Sequence, residues 1–155
     1  MTSDEASDLE VTFGLTFPEV YRDAITDRNS IRTDALDVDA QSLRESNEGC
    51  LKDDPWGFPW KPNYWLIGGD GAGGFYFIDT YRDDSKVYYC DHEDMATSIE
   101  DLGRIGIDSF DDFLVDLEQA EKYVERYNEE MKGRVANRKW WHFWIPREWP
   151  LPPKG

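Results

Sequence analysis

Hydrophobic residues recur at helical spacing over residues 110–131, and this is the clearest pattern in the chain. Ser109, with Asp112 three residues later, marks a helix start, and Gly133 supplies a stop. Positions three and four apart share one side of a helix, so we predict that the apolar side faces the core and the acidic side faces solvent. The apolar positions are Phe110, Phe113, Leu114, Leu117, Ala120, Val124, Tyr127 and Met131.

A second helical pattern lies near the start of the chain, in the stretch TFPEVYRDAI. Thr16 and Glu19 have the spacing of a capping box, and Pro18 fits the first turn because its missing N–H costs nothing there. These signals predict a helix from Pro18 to Arg28. Its apolar face holds Val20, Tyr21, Ala24 and Ile25.

Two other stretches lack a clear period. Met1–Glu10 is acidic and rich in small residues, which predicts a mobile acidic arm over residues 1–12. Residues 30–50 fit neither the repeat of a strand nor that of a helix, and a short helix near Ala40–Ser46 is one alternative.

Three short apolar runs predict β-strands at residues 64–67, 75–79 and 86–90. The links between these runs are too short for parallel crossovers, so we expect an antiparallel meander. A fourth strand near Gly103–Ile107 is a further candidate.

A loop rich in proline and tryptophan, DDPWGFPWKPN, precedes the first strand. Its prolines prevent regular backbone hydrogen bonding. We interpret Trp56 and Trp60 as a lid over the core, because large aromatic side chains beside strands usually cover it. A platform for a sugar or a peptide is the alternative.

Gly69, Gly71 and Gly74 have the G-x-G-x-x-G spacing of a dinucleotide-binding turn. That site also needs a helix opening at the last glycine, because the free N–H groups of the helix hold the phosphate. Residues 75–78 are aromatic and β-branched and favour a strand instead. We therefore predict a wide hairpin turn and no nucleotide cofactor, with Asp70 hydrogen-bonded to its own turn.

The chain has 155 residues and a formal net charge of −16, from 17 Lys+Arg against 33 Asp+Glu. This length suits one domain over residues 1–155. The charge argues against binding to nucleic acid or to a membrane and favours a basic protein partner. Cys50 and Cys90 are interpreted as small core residues. With two cysteines and no leader or membrane-spanning run, we expect a cytoplasmic protein.

The end of the chain differs in charge from the rest. Residues 1–131 hold 32 acidic and 11 basic side chains, a net −21, whereas residues 132–155 hold one acidic and six basic side chains, a net +5. Basic and aromatic residues alternate in this tail, a composition that can bind single-stranded nucleic acid or a membrane surface. The acidic remainder of the chain opposes both partners, so we expect the tail to pack on its own domain.

The stretch DHED, Asp91–Asp94, is the most reactive-looking part of the sequence. Neighbouring residues rarely converge on one metal ion, so no metal site is predicted. No nucleophile or oxyanion donor stands nearby, so we predict no enzyme activity. The interpretation is a strand-ending turn whose remaining role is an acidic, hydrogen-bonding patch.

Four motifs, in the order FPEVYRDAI, IGGDGAGGFYFID, KVYYCDHED and SFDDFLVDL, resemble the SUKH superfamily, named partly for fungal cell-wall-synthesis regulators of the Smi/Knr type. The resemblance is strongest over residues 64–117 and weaker over residues 16–63. The sequence departs from the family at Ala72, where another glycine is common, and in the aromatic tail after residue 131. The role of the tail therefore does not follow from the resemblance.

The resemblance implies an α+β fold, an antiparallel meander sheet with helices packed against it, and protein binding without catalysis. Bacterial members are mainly immunity proteins of polymorphic toxin systems, so the implied partner is a cognate secreted toxin domain, with a nuclease as one candidate. A regulatory protein-binding adaptor of the cell-wall-regulator type is the alternative. The partner-binding residues are expected to be Asp70, Asp83, Asp84, Asp91, His92, Glu93 and Asp94.

Overall fold

The structure is a computed structural model that describes residues 1–27, 35–82, 86–91, 93, 96–102, 107 and 109–136. The chain divides into two compact units, Met1–Gln119 and Ala120–Gly155. The first unit contains a three-stranded sheet and the helices that pack on it. Of the second unit, residues 120–136 are described and are helical.

The sheet confirms the predicted antiparallel meander. Its strands are β1 (Tyr64–Gly69), β2 (Phe75–Asp79) and β3 (Val87–Cys90), in the order β1-β2-β3. Both neighbouring pairs are antiparallel, and the register of the first pair shifts between Leu66 and Gly68. With helices packed against this sheet, the fold is of the α+β class, as expected.

The first helix corrects the prediction of a mobile arm. Residues Ser3–Phe13 form α1, and Thr2 and Glu5 close a capping box at its start. Ala6 and Leu9 are fully buried against the core. Asp4, Glu5 and Asp8 lie on the exposed side of an amphipathic helix, and Glu10 is paired with Arg22, so the acidic composition does not prevent ordered packing.

The second helix, α2, covers Glu19–Thr26. The predicted position is confirmed, but the predicted capping box is wrong because Pro18 occupies the N-cap and no side chain caps the helix. The predicted end, Arg28, lies outside the described residues. α2 is held to α1 by Arg22, which is paired with Glu10 and donates a hydrogen bond of 2.7 Å to the hydroxyl of Ser7.

The third helix, α3, covers Ala40–Lys52 and is longer than the alternative considered from the sequence. Asp39 starts it, because the carboxylate of Asp39 accepts a hydrogen bond from the backbone N–H of Ser42 at 2.8 Å. Its buried face carries Leu43, Asn47 and Cys50. The polar Asn47 is exceptional on this face and contacts the edge of the sheet.

Two further helices follow the sheet: α4 (Ile99–Leu102) and α5 (Phe110–Ala136). The predicted start of α5 is confirmed, but the predicted stop at Gly133 is wrong because the helix continues to Ala136. A single glycine inside a helix costs only about 1 kcal/mol relative to alanine, so it need not end one.

The apolar stripe of α5 is buried only in its first half. Phe110 and Phe113 are fully buried, and Leu114 and Leu117 pack against the core. In the second unit, Ala120 and Val124 are exposed, so the predicted core role is wrong for these residues.

Two predicted features lie partly or wholly outside the described residues. Of the fourth-strand candidate, Ile107 is described, and it forms an antiparallel bridge with Val87. Of the basic aromatic tail, residues 137–155 are not described, so the packing of residues 132–155 on the domain stays a prediction.

The alternation of side chains along the strands divides the core between the two faces of the sheet. One face packs against α1, α2, α3 and the start of α5, and Trp65 lies at its centre, donating a hydrogen bond of 3.0 Å to the buried hydroxyl of Tyr21. The other face packs against the Pro/Trp loop and α4. The second cluster contains Phe58, Tyr64, Phe75, Phe77, Tyr88, Cys90, Ile99 and Leu102.

Both cysteines are buried, as predicted for small core residues. Cys50 lies on α3 and Cys90 on β3, and neither forms a disulfide. Burial raises the pKa of the Cys50 thiol to about 11.

Candidate partner-binding site

The turn between β1 and β2 is organised around Asp70. Its Oδ1 atom accepts hydrogen bonds from the backbone N–H groups of Ala72 at 2.8 Å and Gly74 at 2.9 Å. This confirms the expectation that Asp70 binds its own turn. Gly71 and Gly73 have φ of 72° and 116°, conformations that glycine adopts without steric cost.

The turn does not have the shape of a dinucleotide site. A strand, β2, begins at Phe75, immediately after the last glycine of the G-x-G-x-x-G spacing. A phosphate site of that type needs the N-terminus of a helix at this point.

Tyr89 connects the turn to the end of β3. Its hydroxyl lies 2.7 Å from Oδ2 of Asp70 and 3.0 Å from Oδ2 of Asp91. A hydroxyl has one proton to donate, so the two carboxylates share one donor. The Oδ1 atom of Asp91 accepts a further hydrogen bond from the backbone N–H of Glu93 at 2.9 Å. The result is a pair of carboxylates held around one tyrosine.

Gly74 makes room for this arrangement. A Cβ atom placed there would lie 2.1 Å from the hydroxyl oxygen of Tyr89 and 2.5 Å from its Cζ atom. Any side chain at this position would therefore push Tyr89 away from Asp70. The glycine is needed for the close approach of the tyrosine ring to the backbone.

The hydrogen bonds also shift the pKa of each partner. The Tyr89 hydroxyl is the main reason that the pKa of Asp70 lies below its ordinary value, and the backbone N–H of Ala72 contributes in the same direction. In return, the hydrogen bond to Asp70 raises the pKa of Tyr89 above its ordinary value, and burial adds to this. Asp70 is thus held as a carboxylate and Tyr89 as a neutral donor at neutral pH.

The structure brings some of the predicted site residues together. Asp70 and Asp91 meet at Tyr89, and Glu93 follows them on the exposed turn after β3. The other predicted residues, Asp83, Asp84, His92 and Asp94, lie outside the described residues. Among the described residues, no group of three potential ligands is placed to hold a metal ion.

Sequence reasoning missed Tyr89, although its signal was present. Tyr89 alternates with Tyr88 along β3, so it lies on the opposite face from the buried Tyr88, and its ring packs against Tyr76 at 5.1 Å between centroids. Its position places its hydroxyl between two predicted acidic residues. The feature that would have indicated this contact is a tyrosine near the end of a strand, two residues before the aspartate that follows the strand.

The two tryptophans of the Pro/Trp loop have different roles. Trp60 is half-buried and packs against Phe77 with ring centroids 5.2 Å apart, as predicted for a lid. Trp56 stacks on Phe75 at 4.9 Å with an interplanar angle of 14°, yet it is 53% exposed. The lid interpretation is confirmed for Trp60 and incomplete for Trp56.

The described helices include none that is long and apolar enough to cross a membrane.

The fold defines a class of α+β domain in which helices pack against both faces of an antiparallel meander and an acidic turn closes one end. The chain belongs to the SMI1/KNR4 family (SUKH-1), whose model matches residues 1–116. The family includes immunity proteins, is generally non-catalytic, and its members commonly bind toxins. No match was found among curated proteins or among solved structures.

Proposed function

We propose that the protein is a cytoplasmic, non-catalytic immunity protein that binds and neutralises a cognate toxin domain. The observation that carries this proposal is the pair of carboxylates, Asp70 and Asp91, fixed around Tyr89 in a chain of the SUKH-1 family. Asp70 is exposed and Asp91 is partly exposed, so the pair places negative charge at one end of the sheet.

Preorganisation supports a binding role for Asp70. Its carboxylate is exposed, but two backbone N–H groups and the Tyr89 hydroxyl fix its position. A side chain that is already ordered loses less conformational entropy when a partner binds. The turn therefore offers an acidic contact at a low entropic cost.

The net charge of −16 supports a basic partner. Toxin domains that cleave nucleic acid need basic surfaces to hold their substrate. An acidic protein can cover such a surface, and opposite charges also speed the encounter of the two proteins. A nuclease is therefore the toxin class that fits the charge best.

We propose a contact surface that includes Asp70, Asp91 and Glu93, together with the neighbouring residues predicted from the sequence. Neutralising Asp91→Asn with Glu93→Gln keeps the shape of both side chains and removes two charges from this surface. A control variant, Asp4→Asn with Asp23→Asn, removes the same charge from exposed positions on α1 and α2. Only the first pair should slow association with the toxin domain.

The test is to co-express the C-terminal domain of a toxin encoded beside this gene, with and without this protein. Protection of the cells, together with co-purification of a complex whose association slows as salt is added, is the expected result. Equal killing in both cultures, with soluble protein present, would contradict the proposal for that pair. A partner that is bound but keeps its activity would favour the regulatory adaptor instead.

A further inference from the structure

Trp56 holds an unusual position for a large aromatic residue. One face of its indole ring is covered by Phe75, which is itself only 3% exposed, while the tryptophan remains 53% exposed. Stacking covers one face of a ring, so the exposed area lies mainly on the face opposite Phe75. The loop thus presents a flat aromatic surface to solvent on a rigid support.

The backbone at Trp56 has a conformation that is uncommon for a bulky residue. Among the described residues, Trp56 is the non-glycine residue with positive φ, at 52°, and Gly57 follows with φ of 79°. A bulky side chain rarely adopts this left-handed conformation, and such strain is concentrated at binding and catalytic sites. Here the conformation occurs in the short turn Pro55–Gly57, which carries the exposed ring.

Covering the core does not account for Trp56. The half-buried Trp60 already packs against Phe75 and Phe77, with centroid distances of 5.8 and 5.2 Å. A second lid would be expected to lose most of its exposed surface, as Trp60 does. Within the part of the chain that the structure describes, the open face of Trp56 is therefore not used to cover the core.

Two acidic residues precede the turn that carries Trp56. Asp53 and Asp54 directly precede Pro55 and are both exposed. Asp54 is fixed because its Oδ1 atom accepts a hydrogen bond from the backbone N–H of Trp60 at 2.9 Å. Phe75, which supports the indole, directly follows Gly74 of the turn that holds Asp70. Trp56 thus follows two acidic residues in the chain, and the residue that supports its ring follows the acidic turn.

We infer that Trp56 is the anchor of the contact with a basic protein partner and that it receives an arginine side chain of that partner on its open face. A guanidinium is planar and stacks on an indole face, where the ring quadrupole attracts its charge. Carboxylates beside the ring add charge complementarity, and tryptophan is among the residues that most often dominate protein contacts. This inference rests on the proposed function for the identity of the partner, but its chemistry can be tested separately.

The first experiment uses the full-length protein and the neighbouring toxin domain of the co-expression test. Trp56→Ala should raise the Kd by about tenfold or more, whereas Trp56→Phe should recover part of the affinity because a smaller ring still stacks. Tyr81→Ala is the matched control, since Tyr81 is 77% exposed and follows the opposite end of β2. Unchanged affinity of folded Trp56→Ala, with an intact wild-type complex, would overturn the inference while leaving the proposed function in place.

The second experiment does not depend on a toxin. Indole N–H signals of the protein are followed by NMR during titration with a hexa-arginine peptide and, separately, with a hexa-lysine peptide of equal charge. The signal absent from Trp56→Phe should move more with hexa-arginine than with hexa-lysine and more than the other indole signals do. A response that is equal for both peptides, or that spares Trp56, would overturn the inference.

The two experiments separate the two proposals. If the wild-type protein fails to protect cells but the Trp56 signal responds selectively to arginine, the immunity proposal falls and the arginine-binding surface stands. If protection is normal and Trp56 responds to neither the toxin domain nor the peptide, the inference about Trp56 is wrong and the immunity proposal stands.

Discussion

The side chain of Asn47 on α3 hydrogen-bonds to both backbone groups of Leu66 on β1. Its Oδ1 atom accepts the N–H of Leu66 at 2.8 Å, and its Nδ2 atom donates to the carbonyl of Leu66 at 3.1 Å and to that of Leu43 at 2.9 Å. Edge strands have unpaired backbone groups that can pair with other chains. One amide side chain thus satisfies the backbone of Leu66, beside the part of the same edge that pairs with residues 35–37.

Replacement of Asn47 by leucine should destabilise the fold. Asn47 is 2% exposed, so the variant leaves backbone groups of Leu66 without partners in a partly buried place. Each such group costs about 1–3 kcal/mol, so we expect the free energy of unfolding to fall by about 2–4 kcal/mol in urea titrations. Gln41→Ala, at an exposed position of the same helix, is the control and should change it by less than about 0.5 kcal/mol. Equal effects of the two variants would show that the contact with Leu66 contributes little.

The hydrogen bond from Tyr89 predicts how Asp70 titrates. Because the pKa of Asp70 is lowered from 3.8 in the folded state, its contribution to stability is fully present above pH 3.8 and is lost as the pH falls through the folded pKa. Tyr89→Phe removes the largest cause, so the pKa should rise part of the way to 3.8. Carbon-13 NMR of the carboxyl group measures this, with Tyr81→Phe as the control. A pKa that does not move would show that the backbone N–H groups hold the carboxylate without Tyr89.

The same contact has an opposite consequence at alkaline pH. The pKa of Tyr89 is raised from 10.0, so the stability that it contributes is complete below pH 10.0 and is lost as the pH rises through the folded pKa. Asp70→Asn removes the adjacent negative charge, and Tyr89 should then ionise at lower pH. The Cζ resonance of Tyr89 reports its ionisation separately from the other tyrosines. An alkaline titration that is the same in both proteins would contradict the assignment.

Two glycine-to-alanine variants should have effects of opposite sign. At Gly74 the new Cβ atom would meet Tyr89 at 2.1 Å, so Gly74→Ala should displace the tyrosine and lower the free energy of unfolding by about 1–3 kcal/mol. At Gly49, within α3, a Cβ atom meets nothing within 4 Å, so Gly49→Ala should raise it by about 0.5–1 kcal/mol. Thermal and urea unfolding measure both. Destabilisation by Gly49→Ala would contradict an open environment at this position of α3.

The sheet was predictable because its signals are local. Apolar runs of the correct length are joined by links too short for any other arrangement, and a glycine-rich turn separates the first two. The same applies to the start of α5, where Ser109 and Asp112 mark the first turn. In these segments the sequence pattern and the tertiary contacts favour the same conformation.

The first helix was missed because its acidic composition was given more weight than its pattern. Thr2 and Glu5 have the spacing of a capping box, and Ala6 and Leu9 lie on one side of the helix. Two small or apolar residues make a weak periodic signal, and only contact with α2 and α3 makes their burial favourable. Tertiary packing decided the structure of this segment.

The sequence indicated which acidic segments form the candidate site, but it did not predict the contacts between them. Asp70 and Asp91 are far apart in the chain, and they meet because β2 pairs with both β1 and β3. The position of the Tyr89 hydroxyl depends on this register and on the absence of a side chain at Gly74. The left-handed conformation of Trp56 is likewise unpredictable, because intrinsic preference disfavours it for an aromatic residue.

The two buried cysteines allow the rates of local opening in the native protein to be measured. A thiol reagent reacts with the thiolate, and it must first reach the sulfur. Cys50 is only 8% exposed and Cys90 1%, so each should react when the element that carries it opens. Reaction at Cys50 would report the departure of α3 from the core, and reaction at Cys90 the opening of the cluster between the sheet, the Pro/Trp loop and α4. Mass spectrometry of the wild-type protein can therefore compare the rates of modification at Cys50 and Cys90. No further cysteine has to be introduced by mutation.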